Sequence, residues 1–211
     1  MKKFLNAILA ICLALFVIGS SVIITMNIKS IYYNDIDKLN IESMSNLSRE
    51  DIIENYDYLI DYNLSWKADE FELPSLPSSH NGKIHFEEVR NIFQIIKKVF
   101  YLTGLISILG IILNIKDKNI KFLNITSITT ILLPVIVSIL LIINFNYFFI
   151  KFHEAVFSND YWIFDPDIDP VINILPEDIF FHIGILILAI VFLTSILLQV
   201  SYRRLNKKLK N

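Results

Sequence analysis

Four apolar runs, at residues 4–26, 99–115, 122–143 and 179–200, dominate the chain and restrict its fold more than any other feature. A helix needs about 20 apolar residues to cross the roughly 30 Å hydrocarbon core of a bilayer, and there its backbone N–H and C=O groups must pair within the helix. All four runs qualify, 99–115 being the shortest and the least sharply bounded. With 54% hydrophobic residues the 211-residue chain is too apolar for a soluble domain with a mostly polar surface. The expectation is an all-α integral membrane protein, one membrane domain over 1–211 with four transmembrane helices.

Lys2 and Lys3 precede the first run as in a signal peptide, but the run has no A-x-A-type cleavage site, and a retained anchor is expected. Leu9-Ala10-Ile11-Cys12 resembles a lipobox only superficially, because a bulky Ile precedes the cysteine and the apolar run continues past it. Cys12 is the only cysteine, so an intrachain disulfide and a multi-cysteine metal site are excluded, and it reads as a small packing residue.

Charge sets the orientation. Lys2, Lys3, the connector 116–121 and the tail 201–211 hold ten basic residues and one acid, leaving nine basic residues and twenty acids of the 19 and 21 in the chain. The net charge of −2 thus divides into +9 on one side and −11 on the other. By the positive-inside rule the N and C termini and the connector are cytoplasmic, and loops 27–98 and 144–178 face outward. No basic surface suited to nucleic acid remains.

The first outer loop is long enough to be structured. Ser48, with Asp51 three residues on, fits a helix N-terminus, and Ile52, Tyr56, Leu59 and Ile60 recur at helical spacing. The expectation is an amphipathic helix at the membrane surface, or one whose stripe packs on the spans. Residues 73–82, rich in Pro and Ser, read as loop or turn. His85, Phe86, Val89, Ile92, Phe93 and Ile96 again follow helical spacing, so the second span should extend outward as one helix to His85, with a kink or tilt.

The second outer loop and its flanks, KFHEAVFSNDYWIFDPDIDPVINILPEDIFFH at 151–182, carry two histidines and seven carboxylates against one lysine. His153-Glu154 begins like H-E-x-x-H, but Phe157 stands where the second histidine belongs. Asp165-Pro166-Asp167-Ile168-Asp169 begins like an EF-hand loop, but Pro170 and Pro176 occupy the glycine and bidentate positions. No metal site and no cofactor motif is expected. What remains is His153 near the outer end of the third span, followed by Asn159, Asp160 and Asp165. His85 in the other loop is likewise followed by Glu87 and Glu88. Histidine titrates near neutrality, so the pair suits base and acid work.

The wider pattern, Phe152-His153, Ser158-Asn159-Asp160-Tyr161-Trp162, Asp165-Pro166, Asp169-Pro170-Val171-Ile172 and Leu175 to His182, resembles the lipoprotein intramolecular transacylases of low-GC Gram-positive bacteria. SREDIIENYDYLIDYN at 48–63, His85 with Glu88-Val89, and the four-span layout are similar to that family too. The resemblance implies a bacterial plasma-membrane, multi-pass enzyme with its active site on the extracytoplasmic side. Its partners would be diacylglyceryl-modified lipoproteins and membrane lipid. It would move the sn-2 acyl chain of the lipoprotein to the α-amino group of that lipoprotein's own N-terminal cysteine, giving an N-acyl lyso-lipoprotein.

The residue types suit that chemistry. An α-amine of pKa about 7.7–8.0 needs only a modest base, the leaving alkoxide needs an acid, and an intramolecular reaction needs no enzyme nucleophile. The preferred assignment is His85 as base toward the amine and His153 as acid toward the leaving oxygen. Asp160 or Asp165 would orient an imidazole, Asn159 would donate to the oxyanion, and Arg49 and Trp162 would line the substrate entrance. His80 and His182 are expected to tolerate replacement. Two other classes stay open: a membrane hydrolase using Ser158 or a metal, and a non-enzymatic accessory or sensor protein.

Overall fold

A computed structural model describes residues 2–67, 69–117 and 119–210. Lys118 of the connector and Asn211 of the tail lie outside the described residues. The elements are α1 (Lys2–Asn27), α2 (Ser30–Lys38), α3 (Ile41–Ser45), α4 (Arg49–Leu64), α5 (His80–Lys116), α6 (Lys121–Val156), a 3-10 turn (Pro170–Ile174) and α7 (Glu177–Lys210). Among the described residues there is no strand, and four helices are long and apolar enough to cross a membrane. Each apolar run lies within one of those four helices, but α5, α6 and α7 all extend well past their runs.

Contacts cluster into two compact units. The first comprises 1–24, 96–142 and 185–211, which hold most of the four apolar runs. Within it α1 and α5 approach closely because glycines face large side chains. A Cβ on Gly104 would lie 2.9 Å from the Phe16 ring, and one on Gly110 would lie 2.6 Å from Leu9. Both glycines therefore serve packing inside this chain. Phe16 stacks on Phe100 at 5.0 Å. Ser127 links α6 to α7, donating to Gln199 at 2.7 Å and accepting at its carbonyl from Ser195 at 2.7 Å. Many large apolar side chains, such as Leu105, Leu109, Leu132 and Leu193, remain outward and exposed, as spans in lipid require.

The second unit comprises 25–95 and 143–184, nearly all of the two expected outer loops, and it has a core of its own. Ser48 caps α4 as its sequence suggests, its Oγ accepting from the Asp51 N–H at 3.1 Å. The α4 stripe does not lie on a membrane surface. Ile52, Tyr56, Leu59 and Ile60 are at most 5% exposed and pack into the core beside Tyr32, Ile36, Ile41, Val171 and Ile174. Burying such side chains is worth about 1.5–3 kcal/mol each, more than a shallow headgroup interface returns. Tyr32 stacks on Tyr56 at 3.6 Å and donates to the Ile174 carbonyl at 2.8 Å.

Helices α2 and α3 were not legible as helices in the sequence. They are short, and each is followed by an asparagine in the left-handed region, Asn40 (φ 54°) and Asn46 (φ 56°). Asparagine accepts that conformation more readily than other non-glycine residues.

Helix α5 starts at His80, so 80–82 form its first turn instead of belonging to the loop. Ser79 caps it, its Oγ accepting from the Gly82 N–H at 2.9 Å while donating to Asp169 at 2.7 Å. Asp169, 5% exposed, also accepts from the Ser79 N–H at 2.7 Å. A carboxylate ninety residues away in sequence thus fixes where the helix carrying His85 begins. The expected continuation of the second span to His85 as one helix is present, since α5 runs unbroken from His80 to Lys116.

Helix α6 is broken at Asn144 (φ −165°, ψ 93°). The Asn144 side chain accepts from the Tyr147 N–H at 3.0 Å and so recaps the helix, which then runs on to Val156. His153, expected on a loop, therefore sits in the last turn of a helix.

Candidate active site

His85 and His153, neighbours in no sequence sense, meet within the second unit. Their ring centroids are 6.2 Å apart with planes inclined at 34°, well inside the separation that joint proton handling on one substrate demands. The surroundings are aromatic. His85 packs edge-on against Phe157 at 4.8 Å and Phe164 at 5.5 Å. His153 lies against Phe149 at 4.3 Å and Trp162 at 4.9 Å.

The two imidazoles have different electrostatics. His85 is 5% exposed, and its Nδ1 is buried without a hydrogen-bond partner. Burial, reinforced by the adjacent His153, pushes its pKa from 6.5 to about 4. His85 is therefore neutral at physiological pH. The His153 pKa is also lowered, by burial, with the Phe149 carbonyl opposing. His153 Nδ1 lies 2.7 Å from that carbonyl oxygen. A carbonyl only accepts, so Nδ1 must carry the proton, and Nε2 of neutral His153 is left with its lone pair. The bond follows from helix geometry, since residue 149 lies one turn before 153.

The supporting residues expected from the sequence are distributed differently. Asn159 directs its Nδ2 to Glu88 Oε1 at 2.8 Å and accepts from the Tyr161 N–H with Oδ1 at 3.1 Å. Asp165 turns on its own loop, accepting from the Asp167 N–H at 3.0 Å. Asp160 is exposed and lines a cleft of about 460 Å³ with Glu154, Phe157, Ser158, Asn159, Trp162 and Ile163. The group that orients an imidazole is the Phe149 carbonyl. Arg49 is committed elsewhere, its guanidinium donating to Asp37 at 2.8 Å and to the Tyr33 carbonyl at 2.7 Å, so it ties α4 to α2. Trp162 does lie beside His153.

His182, expected to tolerate replacement, pairs with a buried acid. Its Nδ1 lies 2.8 Å from Oδ2 of Asp35, which is 2% exposed. Glu88 was visible only as a carboxylate following His85, one helical turn on. Its Oε1 takes the Asn159 bond, and its Oε2 is buried with no partner. Among the described residues no three His, Cys, Asp or Glu side chains gather with metal-ligand geometry.

The family model and the solved structures point to the same family. The family model described as "Lipoprotein intramolecular transacylase Lit" matches residues 7–181. A solved structure of the membrane-integral lipoprotein intramolecular transacylase Lit from Bacillus cereus is 38% identical, with 100% of this chain and 98% of that one covered and a TM-score of 0.96. Two further structures of that protein, with H85R and H85A mutations, are also 38% identical with TM-scores of 0.90. They cover 100% of this chain and 94% and 96% of theirs. No curated protein sequence matches.

Proposed function

This chain belongs to the lipoprotein intramolecular transacylase family, and we propose that its His85 and His153 carry the transfer of a lipoprotein's sn-2 acyl chain to that lipoprotein's own N-terminal amine. The membrane-integral transacylase activity follows from the family. The roles of the two histidines rest on the 6.2 Å pair and on the fixed tautomer of His153.

His153 is the base. Its Nε2 lone pair takes a proton from the attacking nitrogen, and the Phe149 carbonyl accepts from Nδ1–H throughout, steadying the imidazolium that forms. This reverses the roles preferred from the sequence, where nothing fixed a tautomer. His85, held neutral, donates an N–H hydrogen bond to the oxygen that gains charge. A neutral imidazole in an apolar pocket suits that electrophilic role, since it stabilises the oxyanion without holding an extra proton.

The step balances. The free amine attacks the ester carbonyl carbon, the C–N bond forms and the carbonyl electron pair moves to oxygen. The nitrogen gives a proton to His153 Nε2. The intermediate then collapses, the bond to the sn-2 glycerol oxygen breaks, and His153 returns the proton to that oxygen. No proton is gained or lost, and amine and ester enter as one molecule with the entropic advantage of an intramolecular reaction.

That the Bacillus cereus relative carries substitutions of its residue 85 in two structures supports attention to His85. The charge division supports a bacterial plasma-membrane topology with cytoplasmic termini and connector, and with 27–98 and 144–178 forming an extracytoplasmic site served by diacylglyceryl lipoproteins and lipid. The test is mass spectrometry of a reporter lipoprotein's N-terminal peptide from cells expressing wild type, His85→Asn or His153→Asn. N-acyl lyso product should accumulate only with wild type. Undiminished product in either variant overturns the assignment.

A further inference from the structure

The α-amine of the substrate is largely an ammonium at neutral pH, given its pKa of about 7.7–8.0. A buried, aromatic site that receives it needs an anion within hydrogen-bond reach, because a desolvated unpaired cation is costly. Among the carboxylates around the two imidazoles, most are committed or solvated. Glu87, Asp160 and Asp165 are exposed, and Glu154 is exposed and paired with Lys151. Glu88 differs. It follows His85 by three residues on α5, which puts the two side chains on one face at neighbouring turns. Asn159 fixes one of its oxygens at 2.8 Å, and the other, Oε2, is buried with no partner.

We propose that Glu88 is the amine-binding residue, its Oε2 accepting a charge-assisted hydrogen bond from the substrate's α-ammonium while Asn159 holds the carboxylate in place. The inference rests on the His85 and His153 reading for where the reaction occurs, and it adds what selects the nucleophile. An orphaned buried oxygen is rare in native proteins, and a site that receives a cation in use explains one. The bound ammonium releases one proton to solvent to give the free amine, and attack on the ester restores positive charge on the nitrogen. The proton that His153 then takes is the one it returns to the leaving oxygen, so the reaction from the ammonium yields one proton to solvent. The carboxylate therefore faces a cation both on binding and in the tetrahedral intermediate, and it holds the nitrogen in line without taking part in proton transfer.

The test uses the full-length protein in lipid and two unreactive lipopeptides whose sn-2 ester is replaced by an ether. One has a free N-terminal ammonium; the other has hydrogen in place of the amine, which makes it neutral and slightly smaller. Inhibition constants are measured against a reactive diacyl lipopeptide at pH 7. Wild type should prefer the ammonium compound by about tenfold or more, the scale of one buried charge-assisted hydrogen bond. Glu88→Gln should bind both alike and raise KM by a similar factor, with kcat changed by less than about threefold. Glu88→Met, which replaces the orphan with an apolar group of similar length, should also lose the preference. Thermal unfolding identifies which variant is folded and decides the matter.

His153→Asn separates the two readings, since it should abolish turnover yet keep the ammonium preference in a direct binding assay. Equal binding of the two compounds by wild type overturns the inference, as does a folded Glu88 variant that keeps the preference. A fully active His153→Asn overturns the histidine assignment alone.

Discussion

Burial of His85 makes the stability of the second unit depend on pH in a calculable way. The folded-state pKa is about 4, against 6.5 for a free histidine. Between these values the unfolded chain binds a proton that the folded chain refuses, so stability rises with pH. The contribution is fully present above 6.5, declines as pH falls from 6.5 to 4, and levels off below 4. Lowering the pKa from 6.5 to about 4 corresponds at 1.36 kcal/mol per decade to about 3 kcal/mol in all, of which about 2 is lost between pH 7 and pH 4.5. Other groups titrate in that range, so the comparison is with His85→Phe, which fills the aromatic pocket without a titratable group. The wild-type stability lost between pH 7 and 4.5 should exceed that of His85→Phe by about 2 kcal/mol, read by chemical denaturation in micelles. Histidine labelled with 13C at Cε1, assigned with His85→Asn, gives the pKa directly by NMR. A His85 resonance titrating near 6.5, or equal acid sensitivity in the two proteins, would refute the argument.

Several further outcomes follow from the geometry. His153 acts as a base with a pKa held below the ordinary histidine value by burial, whereas the bound ammonium must deprotonate before it attacks, so kcat at saturating substrate should fall with the free-amine fraction as pH drops below about 8 and bend a second time only below 6.5; a second bend at or above 6.5 in the pH–rate profile contradicts this. His182→Phe leaves the buried Asp35 carboxylate without its imidazole and should cost about 1–3 kcal/mol, whereas adding Asp35→Asn should recover part of the loss, a coupling that a double-mutant cycle measures. Asp169→Ala removes the buried carboxylate that holds Ser79 at the start of α5. It should cost about 1 kcal/mol by thermal unfolding and lower kcat through the shifted His85. His80→Asn alters an exposed side chain, and reporter-lipoprotein acylation should be unchanged.

The sequence alone determined the four spans, because bilayer thickness imposes a length of apolar helix that shows in any window of the chain. It also determined α4, since a serine cap and a stripe at helical spacing are local signals. His85 and His153 were legible as chemistry-bearing residues because few side chains titrate near neutrality, and the pattern around them resembles a known family. The rest was decided by packing between distant segments. The α4 stripe entered a protein core because short helices over 30–45, weak by local propensity, met the 3-10 turn at 170–174. Asp35 reached His182 across 147 residues and Asn159 reached Glu88 across 71. The acid–base roles depend on one backbone carbonyl, that of Phe149, which no side-chain pattern reports. Helical period and hydropathy act over a few residues and can be read along a chain. Tautomer, burial and the partner of a carboxylate depend on which atoms lie within 3 Å, and only the folded arrangement of remote segments sets that.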